Sequence, residues 1–404
     1  MRRPSQRRGG RGVLQCPVRR EAGEPAAALA CWTLSHPGLA TGRRVAARLA
    51  EQPWEAPEGG SVAHCRLLAP ARLCALDRGN GEAAAVPFAR FADALARDFR
   101  TYRGHIVVGA AGIAVRALAP LLRHKSEDAP VVVLDAAGRY AVSLLSGHWG
   151  GGNSLARHVA RLLGGEAVIT TASDAHPGSP PALDELARAA SLRILDWDKL
   201  PRVAAALLEG EPVPLSDPLS YLPAAREPRF LRGPEMARGA VPLVHIHWKR
   251  MPPRPDVLRM AAPLLHAGVG CRRGVDAASI ERAVRETLAE HGLEAAAVAS
   301  LATVEEKAEE PGLVEAARRL GVPLLAYPAP ELAAVPVPHP SEAAGARFGL
   351  PPFSVCEAAA LLAAQAARPA GNAILLAPKT VFQGRVTVAI ALCMTARTPE
   401  SGLP

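Results

Sequence analysis

Residues 105–174 read HIVVGAAGIAVRALAPLLRHKSEDAPVVVLDAAGRYAVSLLSGHWGGGNSLARHVARLLGGEAVITTASD. Four short apolar runs, at 105–112, 130–138, 139–147 and 166–174, predict buried strands. Between them, 113–125 predicts a helix, and 147–164 predicts a glycine loop that leads into a second helix. Strands that alternate with helices at this spacing indicate α/β layers with some parallel pairing. Because ligands of such sheets bind at the carboxyl ends of the strands, we expect the glycine and Thr/Asp endings to meet there.

The same alternation continues along the chain, which at 404 residues is too long for one ordinary domain. It predicts two three-layer α/β domains, at 26–176 and 263–398. A smaller middle module and linker, at 177–262, joins them and contains two short helices, a Pro-rich stretch and a strand at 241–249. Residues 1–25 are rich in Arg and Gly and have no apolar period, so we expect a disordered basic tail.

The formal net charge of +9 first suggests a nucleic-acid partner. However, seven arginines lie within residues 1–20, which contain no acid, and without those seven the charge falls from +9 to +2. The excess charge is confined to the tail, so we expect no nucleic-acid binding. No apolar run is long enough for a secretory signal or a membrane span, and the seven cysteines are scattered without a CxxC pair. We therefore expect a cytoplasmic protein that contacts no membrane.

The densest candidate site is the glycine loop, which we define as Ser146-Gly147-His148-Trp149-Gly150-Gly151-Gly152-Asn153. Its glycines let backbone approach a ligand and leave N–H groups at a helix N-terminus, which favour anions. His148 is a candidate general acid or base, and Asn153 is a candidate donor to a substrate oxygen. The alternative is a tight left-handed turn in which Asn153 caps the helix and His148 faces solvent. The spacing matches neither a dinucleotide fingerprint nor a P-loop.

A second candidate is the segment GVGCRRG at 268–274, which follows a predicted strand. Arg272 and Arg273, which lie between Gly270 and Gly274, form a compact receptor for carboxylates or phosphate, because guanidinium groups bind carboxylates with two parallel hydrogen bonds. The alternative is an exposed turn with two solvated arginines. Cys271 has no evident base partner and is a weak candidate for a nucleophile.

The remaining candidates are single residues near strand ends or helix starts, and each is also compatible with a purely structural role. They are Gly112, Arg116, Thr171, Asp174, Lys307 and Glu357. His245 and His247 alternate on a strand and so share a face. Two histidines without a third ligand do not predict a metal site.

The order of these motifs resembles that of the CbiG family of cobalamin biosynthesis. AAGIAVRALAPLLRHK and the run VVVLDAAGRYAVSLLSGHWGGGNSLARHVARLLGGEAVITTASD are similar to the N-terminal part of these proteins. GVGCRRG, LATVEEKAEEPGLVEAARRL, SVCEAAALLAA and ILLAPKTVFQGRVTVAIAL are similar to their C-terminal domain. Trp149, Gly152 and Ser173 depart from the family's usual Leu, Ala and Thr, which leaves the chemistry intact but reshapes the pocket.

The resemblance implies a hydrolase that acts on a carbon–carbon bond. Such an enzyme opens the δ-lactone of cobalt-precorrin-5A with water and releases acetaldehyde, which leaves cobalt-precorrin-5B. The cobalt arrives inside the substrate, so neither a cofactor nor a protein-bound metal is expected. In this interpretation His148 and Asn153 are catalytic, and the other candidate residues bind the carboxylate-rich macrocycle in a cleft between the two α/β domains.

Three other functions are compatible with the same residues. A non-catalytic tetrapyrrole-binding or handover protein would share the arginines and glycines but would tolerate loss of His148. A phosphate- or nucleotide-binding α/β enzyme would have affinity for a nucleotide. A nucleic-acid role would depend on the tail alone. Neighbouring precorrin methyltransferases are candidate protein partners.

Overall fold

In the computed structural model, the structure describes residues 28–57, 59–76, 84–171, 182–218, 221–222, 230–231, 241–368 and 370–394. The predicted tail, 1–25, and Asp174 lie outside these ranges. The described chain folds into three α/β units, each built on its own main sheet. The α/β class is therefore confirmed. Within the described residues, no helix is both long and apolar enough to cross a membrane.

The N-terminal unit is built from the following elements in chain order. They are β1 (Leu29–Thr33), α1 (His36–Glu51), β2 (Trp54–Glu55), β3 (Ser61–Val62), β4 (Cys65–Pro70), α2 (Ala71–Leu76), β5 (Val86–Phe88), α3 (Phe91–Asp98), β6 (Gly104–Val108), α4 (Ala111–Leu118), a 3-10 turn (Ala119–Leu121), β7 (Val131–Leu134), β8 (Tyr140–Leu145), α5 (Gly152–Leu163) and β9 (Glu166–Val168).

Seven of these strands form one sheet in the order β5-β4-β1-β6-β7-β8-β9, and helices cover both of its faces. Leu39, Val45 and Leu49 of α1 pack with Leu155 of α5 on one face, while α3 and α4 bury Leu95 and other residues on the opposite face. The apolar residues of α1 recur at helical spacing, and Ser35 caps it by accepting a hydrogen bond from the Gly38 N–H at 3.2 Å. This unit has the predicted three layers.

One strand runs antiparallel to its neighbour, and this direction decides where the glycine loop lies. Strands β1, β4, β5, β6 and β7 run parallel, but β8 is antiparallel to β7, and β9 is parallel to β8. Leu145, at the end of β8, therefore pairs with Val131, at the start of β7. The glycine loop lies at the amino edge of the parallel strands, and the expectation that all the strand endings meet at one carboxyl edge is wrong.

The middle unit has its own five-stranded sheet, in the order β10-β14-β13-β11-β12, in addition to the two predicted helices. All of its strands are parallel to their neighbours except β10. Its elements are α6 (Leu183–Ala189), β10 (Arg193–Ile194), α7 (Leu200–Glu209), β11 (Val213–Ser216), β12 (Phe230–Leu231), β13 (Leu243–His247) and β14 (Val257–Ala261). The region is more regular than the Pro-rich sequence indicates.

The C-terminal unit is a second three-layer domain on a sheet of order β17-β16-β15-β19-β18, in which β15, β16 and β17 are parallel. Helices α8 and α9 cover one face, and α12 covers the other. Its elements are β15 (Leu265–Cys271), α8 (Ala277–Glu290), β16 (Val298–Val304), α9 (Pro311–Leu320), β17 (Leu324–Tyr327), α10 (Ala329–Ala333), α11 (Glu342–Phe348), α12 (Val355–Ala367), β18 (Asn372–Phe382) and β19 (Val386–Met394), with 3-10 turns at Ala295–Ala297 and Glu305–Lys307.

Candidate functional site

The glycine loop is a tight turn whose backbone groups bond to one another. Gly152 N donates to the Ser146 carbonyl at 2.9 Å, Asn153 N to the Gly147 carbonyl at 3.0 Å, and Gly151 N to the His148 carbonyl at 3.3 Å. Ser146 takes a left-handed conformation, with φ of 53°, and its hydroxyl donates to the Asp128 carbonyl at 2.7 Å. Because these N–H groups already have acceptors inside the loop, they do not form the expected oxyanion receptor in this geometry.

Close packing within the protein explains two of the glycines. Gly151 has φ of 84° and begins α5 as its N-cap, and a Cβ there would overlap the Pro57 ring. A Cβ on Gly152 would lie 2.6 Å from the Leu145 carbonyl. The turn therefore needs glycine at both positions even without a ligand.

Asn153 holds the loop to the neighbouring strand end. Its side chain is 4% exposed, and Nδ2 donates to the Thr171 hydroxyl at 3.0 Å. Gly151, not Asn153, is the N-cap of α5, so the alternative in which Asn153 caps this helix is wrong. Thr171 follows β9, which runs parallel to β8, so the two strand ends meet at the same edge. The structure therefore brings together the predicted residues of the loop and Thr171.

His148 lies between the N-terminal and middle units. Its Nδ1 is 3.8 Å from Glu185 Oε2 of α6, and its side chain is 15% exposed. The alternative in which His148 faces open solvent is therefore also wrong. A carboxylate beside an imidazole can orient the ring for proton transfer.

Aromatic contacts fix the loop against the middle unit. The rings of Trp149 and Trp197 meet edge to face with centroids 4.9 Å apart, and the His124 ring meets Trp197 in the same manner at 5.5 Å. Lys125 Nζ lies 5.3 Å from the centre of the Trp197 ring. Burial lowers the pKa of Lys125, and Asp184 opposes that shift. Trp197 therefore contacts a residue of the loop, an imidazole and a cation at this junction.

Gly112 and Arg116 do not share this site. Both lie on α4, which follows the carboxyl end of β6, whereas the glycine loop lies at the amino edge of the same sheet. Arg116 is exposed, and its Nη1 donates to the Gly112 carbonyl at 3.1 Å within the helix. Their predicted grouping with His148 is wrong because β8 reverses direction.

A second group of predicted residues meets at the carboxyl edge of the C-terminal sheet. Arg272 and Arg273 are exposed just after β15. Beside them, Lys307 is 6% exposed and donates from Nζ to Glu310 Oε2 at 2.7 Å. Glu310 also accepts from Gly274 N at 2.8 Å, and the hydrogen bond from Lys307 lowers its pKa.

Cys271 is a poor nucleophile in this setting. Burial raises the pKa of its thiol, with Lys307 opposing that shift and Glu310 adding to it. A protonated thiol reacts slowly, since the thiolate is the nucleophile. The nearby Gly270 has a structural reason to be glycine, because a Cβ would lie 2.6 Å from the Thr387 hydroxyl.

Glu357, at the start of α12, is fully buried, and its carboxylate is held by hydrogen bonds. It accepts hydrogen bonds from His339 Nδ1 at 2.8 Å, from His339 N at 3.1 Å and from Lys379 N at 3.0 Å. Burial raises its pKa, but these hydrogen bonds outweigh that effect, and its net pKa is lowered. His339 was missed in the sequence because it lies 18 residues from Glu357 in a Pro-rich segment. The alternating prolines around it carry no signal for this contact.

The glycine loop and the arginine pair occupy different surfaces. The middle unit contacts the amino edge of the C-terminal sheet, where Glu294 N donates to Trp248 O at 2.9 Å and Arg250 N donates to Gly292 O at 2.8 Å. Arg272 and Arg273 lie at the opposite, carboxyl edge of that sheet. The glycine loop therefore contacts the middle unit, whereas the arginine pair lies at the edge of the C-terminal sheet that faces away from the middle unit.

Comparison with known proteins covers all three units. Family models match residues 93–174 as the N-terminal part of cobalamin synthesis protein G, 181–259 as the cobalamin biosynthesis central region, and 265–391 as the C-terminus of protein G. A cobalt-precorrin-5A hydrolase from Salmonella typhimurium is 33% identical over 61% of this chain and 72% of its own length. One from Priestia megaterium is 31% identical over 73% of this chain and 79% of its own length.

The chain belongs to the CbiG family. This membership assigns it a role in cobalamin biosynthesis. A solved structure of a cobalamin biosynthesis protein G homolog from Sulfolobus solfataricus is 19% identical, with a TM-score of 0.33 over 91% of this chain and 98% of that chain.

The CbiG models divide the candidate residues between them. The N-terminal model contains the glycine loop and Thr171, the central model contains Glu185 and Trp197, and the C-terminal model contains the arginine pair. His148 and the carboxylate beside it therefore come from different CbiG segments. In the part of the chain that the structure describes, no three His, Cys, Asp or Glu side chains gather in a way that could hold a metal ion.

Proposed function

We propose that this chain is a cobalt-precorrin-5A hydrolase, which adds water to the δ-lactone of its substrate and releases acetaldehyde to leave cobalt-precorrin-5B. The observation that supports it most is the position of His148, 3.8 Å from Glu185 in a half-buried junction, in a chain whose CbiG relatives are named as this hydrolase. A histidine oriented by a carboxylate can take a proton from water and return it later in the reaction.

In the proposed reaction, the oxygen of water bonds to the lactone carbonyl carbon while His148 accepts the water's proton. The ester bond breaks, which gives a carboxylic acid on the macrocycle, still carrying the second proton of the water, and an alkoxide on the two-carbon unit. The alkoxide then forms the carbonyl of acetaldehyde, and the carbon–carbon bond to the macrocycle breaks. The electron pair of that bond passes into the macrocycle. Cobalt is part of the substrate, so the proposed reaction needs no separate cofactor.

Asn153 has a positioning role in this proposal, because its buried side chain donates a hydrogen bond to Thr171 and so holds the loop that carries His148. Lys125, at the same junction, is placed to attract a peripheral carboxylate of the substrate. Arg272 and Arg273 lie on another surface, so they can contribute only to a separate anion contact, such as one with a neighbouring methyltransferase that delivers or receives the macrocycle.

The test is anaerobic incubation of the purified chain with cobalt-precorrin-5A and an assay for acetaldehyde. Release of one acetaldehyde per macrocycle is the expected result. Tight binding without release would replace the hydrolase with a handover protein, a function that the names of its relatives do not favour. Absence of binding would reject this substrate.

A further inference from the structure

A cavity of about 260 Å³ lies between the middle and C-terminal units, away from the glycine loop and from the arginine pair. The middle unit contributes Ala190, Ser191 and Tyr221, and the C-terminal side contributes residues from the starts of β15 and β16, the end of α12 and β19. Its walls are mostly apolar, with a few polar groups. That combination is typical of small-molecule sites at domain junctions.

Arg368 is the charged group in the cavity wall. Its Nη2 donates to the Tyr221 hydroxyl at 3.0 Å, and its guanidinium lies 5.5 Å from the centre of that ring. Among the described residues, no carboxylate lies within ion-pair distance of Arg368. A guanidinium has five N–H donors, so most of them remain available to an anion.

The structure also holds Arg368 and Tyr221 in place. The Arg368 carbonyl accepts from Gly371 N at 3.0 Å and from Cys393 Sγ at 3.2 Å, which fixes the end of α12. Asp217 accepts from Tyr221 N at 3.0 Å, which fixes the tyrosine from the middle unit. The donors are therefore oriented before any ligand arrives.

A neutral histidine completes the polar lining. His266 is 5% exposed, and its Nδ1 is 2.8 Å from the Ser300 hydroxyl. Burial lowers its pKa to about 4, so the ring is uncharged at neutral pH. Within the described residues, its Nε2 has no hydrogen-bond partner and remains for a ligand.

We propose that this cavity is a binding site for a small organic carboxylate, with Arg368 as its counter-ion. The chemistry favours a carboxylate over phosphate, because one guanidinium and a few neutral groups among apolar walls cannot satisfy a dianion. The volume is below the roughly 300–1,000 Å³ of drug-sized sites, so a macrocycle cannot enter. A free short-chain acid or a single carboxylate arm of a larger molecule can.

The test is calorimetric titration of the full chain with sodium propionate at constant ionic strength, with propionamide as the uncharged control. We expect millimolar binding of propionate by the wild type. Arg368→Gln should weaken it at least about tenfold, because hydrogen bonds to a charged group carry that much affinity. Ala367→Leu, which fills the cavity from a helix end, should also prevent binding.

Arg347→Gln is the matched control, because Arg347 likewise lies over an aromatic ring, that of Phe348 at 5.3 Å, but does not line the cavity. It should bind propionate like the wild type. Equal binding by wild type and Arg368→Gln would overturn the proposal, as would binding of inorganic phosphate but not propionate. Absence of propionate binding up to tens of millimolar, with folded protein by circular dichroism, would overturn it too.

The acetaldehyde assay shows whether the carboxylate belongs to a free acid or to the substrate. Only this part of the experiment depends on the proposed function. If propionate raises KM and leaves kcat unchanged, a substrate arm occupies the cavity. If it leaves KM unchanged while calorimetry shows binding, the ligand is a free acid. The calorimetric result stands whether or not the chain releases acetaldehyde.

Discussion

His105 is fully buried in the N-terminal core, and its hydrogen bonds assign the tautomer. Trp32 Nε1 donates to its Nδ1 at 3.0 Å, and because indole nitrogen can only donate, Nδ1 must accept. Nε2 then carries the proton and donates to the Phe99 carbonyl at 3.0 Å. Burial lowers the pKa of this ring to about 4. A neutral imidazole is therefore part of the core.

We expect acid to destabilise the protein through this residue. The ordinary pKa of 6.5 lies above the folded value of about 4, so the unfolded chain takes up a proton first as the pH falls. The neutral His105 ring contributes about 3 kcal/mol to the free energy of unfolding above pH 6.5. This contribution is lost as the pH falls from about 6.5 to 4. Urea unfolding at pH 7 and pH 5 measures it in wild type and in His105→Gln.

The free energy of unfolding should change less between pH 7 and pH 5 in His105→Gln than in the wild type. His291→Gln is the control, because His291 is exposed at the end of α8. Identical changes in wild type and His105→Gln would show that this ring is not held neutral by the core.

At the level of elements, the strands and helices around the glycine loop could be predicted from apolar runs and glycines, but the shared carboxyl edge expected for the strand endings was wrong, because β8 runs antiparallel to β7. Only residues 135–139 separate β7 from β8. A parallel connection needs a dozen or more residues, so this short segment could have revealed the hairpin. Asp135 stabilises the turn by accepting from Tyr140 N at 2.8 Å. The contact of His339 with Glu357 had no local signal, because it depends on how distant segments pack.

The packing of α12 on β15 depends on Gly268. A Cβ at this position would overlap the Cys356 carbonyl in the helix backbone. Gly268→Ala must therefore push the helix off the sheet, and we expect a cost of about 1–3 kcal/mol in the free energy of unfolding. Chemical unfolding followed by circular dichroism measures this loss.

Gly112→Ala is the control for that substitution. Its Cβ would meet only the flexible end of Arg116, at 3.2 Å, and alanine favours a helix over glycine by about 1 kcal/mol. We expect this variant to be as stable as the wild type or more so. If Gly268→Ala unfolded at the same denaturant concentration as the wild type, the close approach of α12 to β15 would be incorrect.

At the level of the whole molecule, the junction between the N-terminal and middle units carries the candidate site. The edge-to-face contact of Trp149 with Trp197 contributes about 0.5–1.5 kcal/mol beyond the area it buries. Trp149→Ala should therefore loosen the glycine loop without unfolding either unit. We expect faster hydrogen exchange in residues 146–152 and slower acetaldehyde release.

Trp149→Leu should retain most of the activity, because the CbiG family usually has leucine at this position. A leucine side chain also still fills the junction. Tyr140→Ala is the control, since Tyr140 is a 45% exposed aromatic residue of the same unit, at the end of β8 opposite the glycine loop. Unchanged exchange in Trp149→Ala would mean that this contact does not hold the loop.

The most direct test of the proposed site compares His148→Ala with His291→Ala in anaerobic release of acetaldehyde from cobalt-precorrin-5A. Loss of a general acid–base group costs about 10²–10⁴-fold in rate. We expect His148→Ala to lose at least about 10²-fold in kcat with an unchanged unfolding midpoint, and His291→Ala to match the wild type. Acetaldehyde release by His148→Ala at close to the wild-type rate would contradict the assignment of catalysis to the glycine loop.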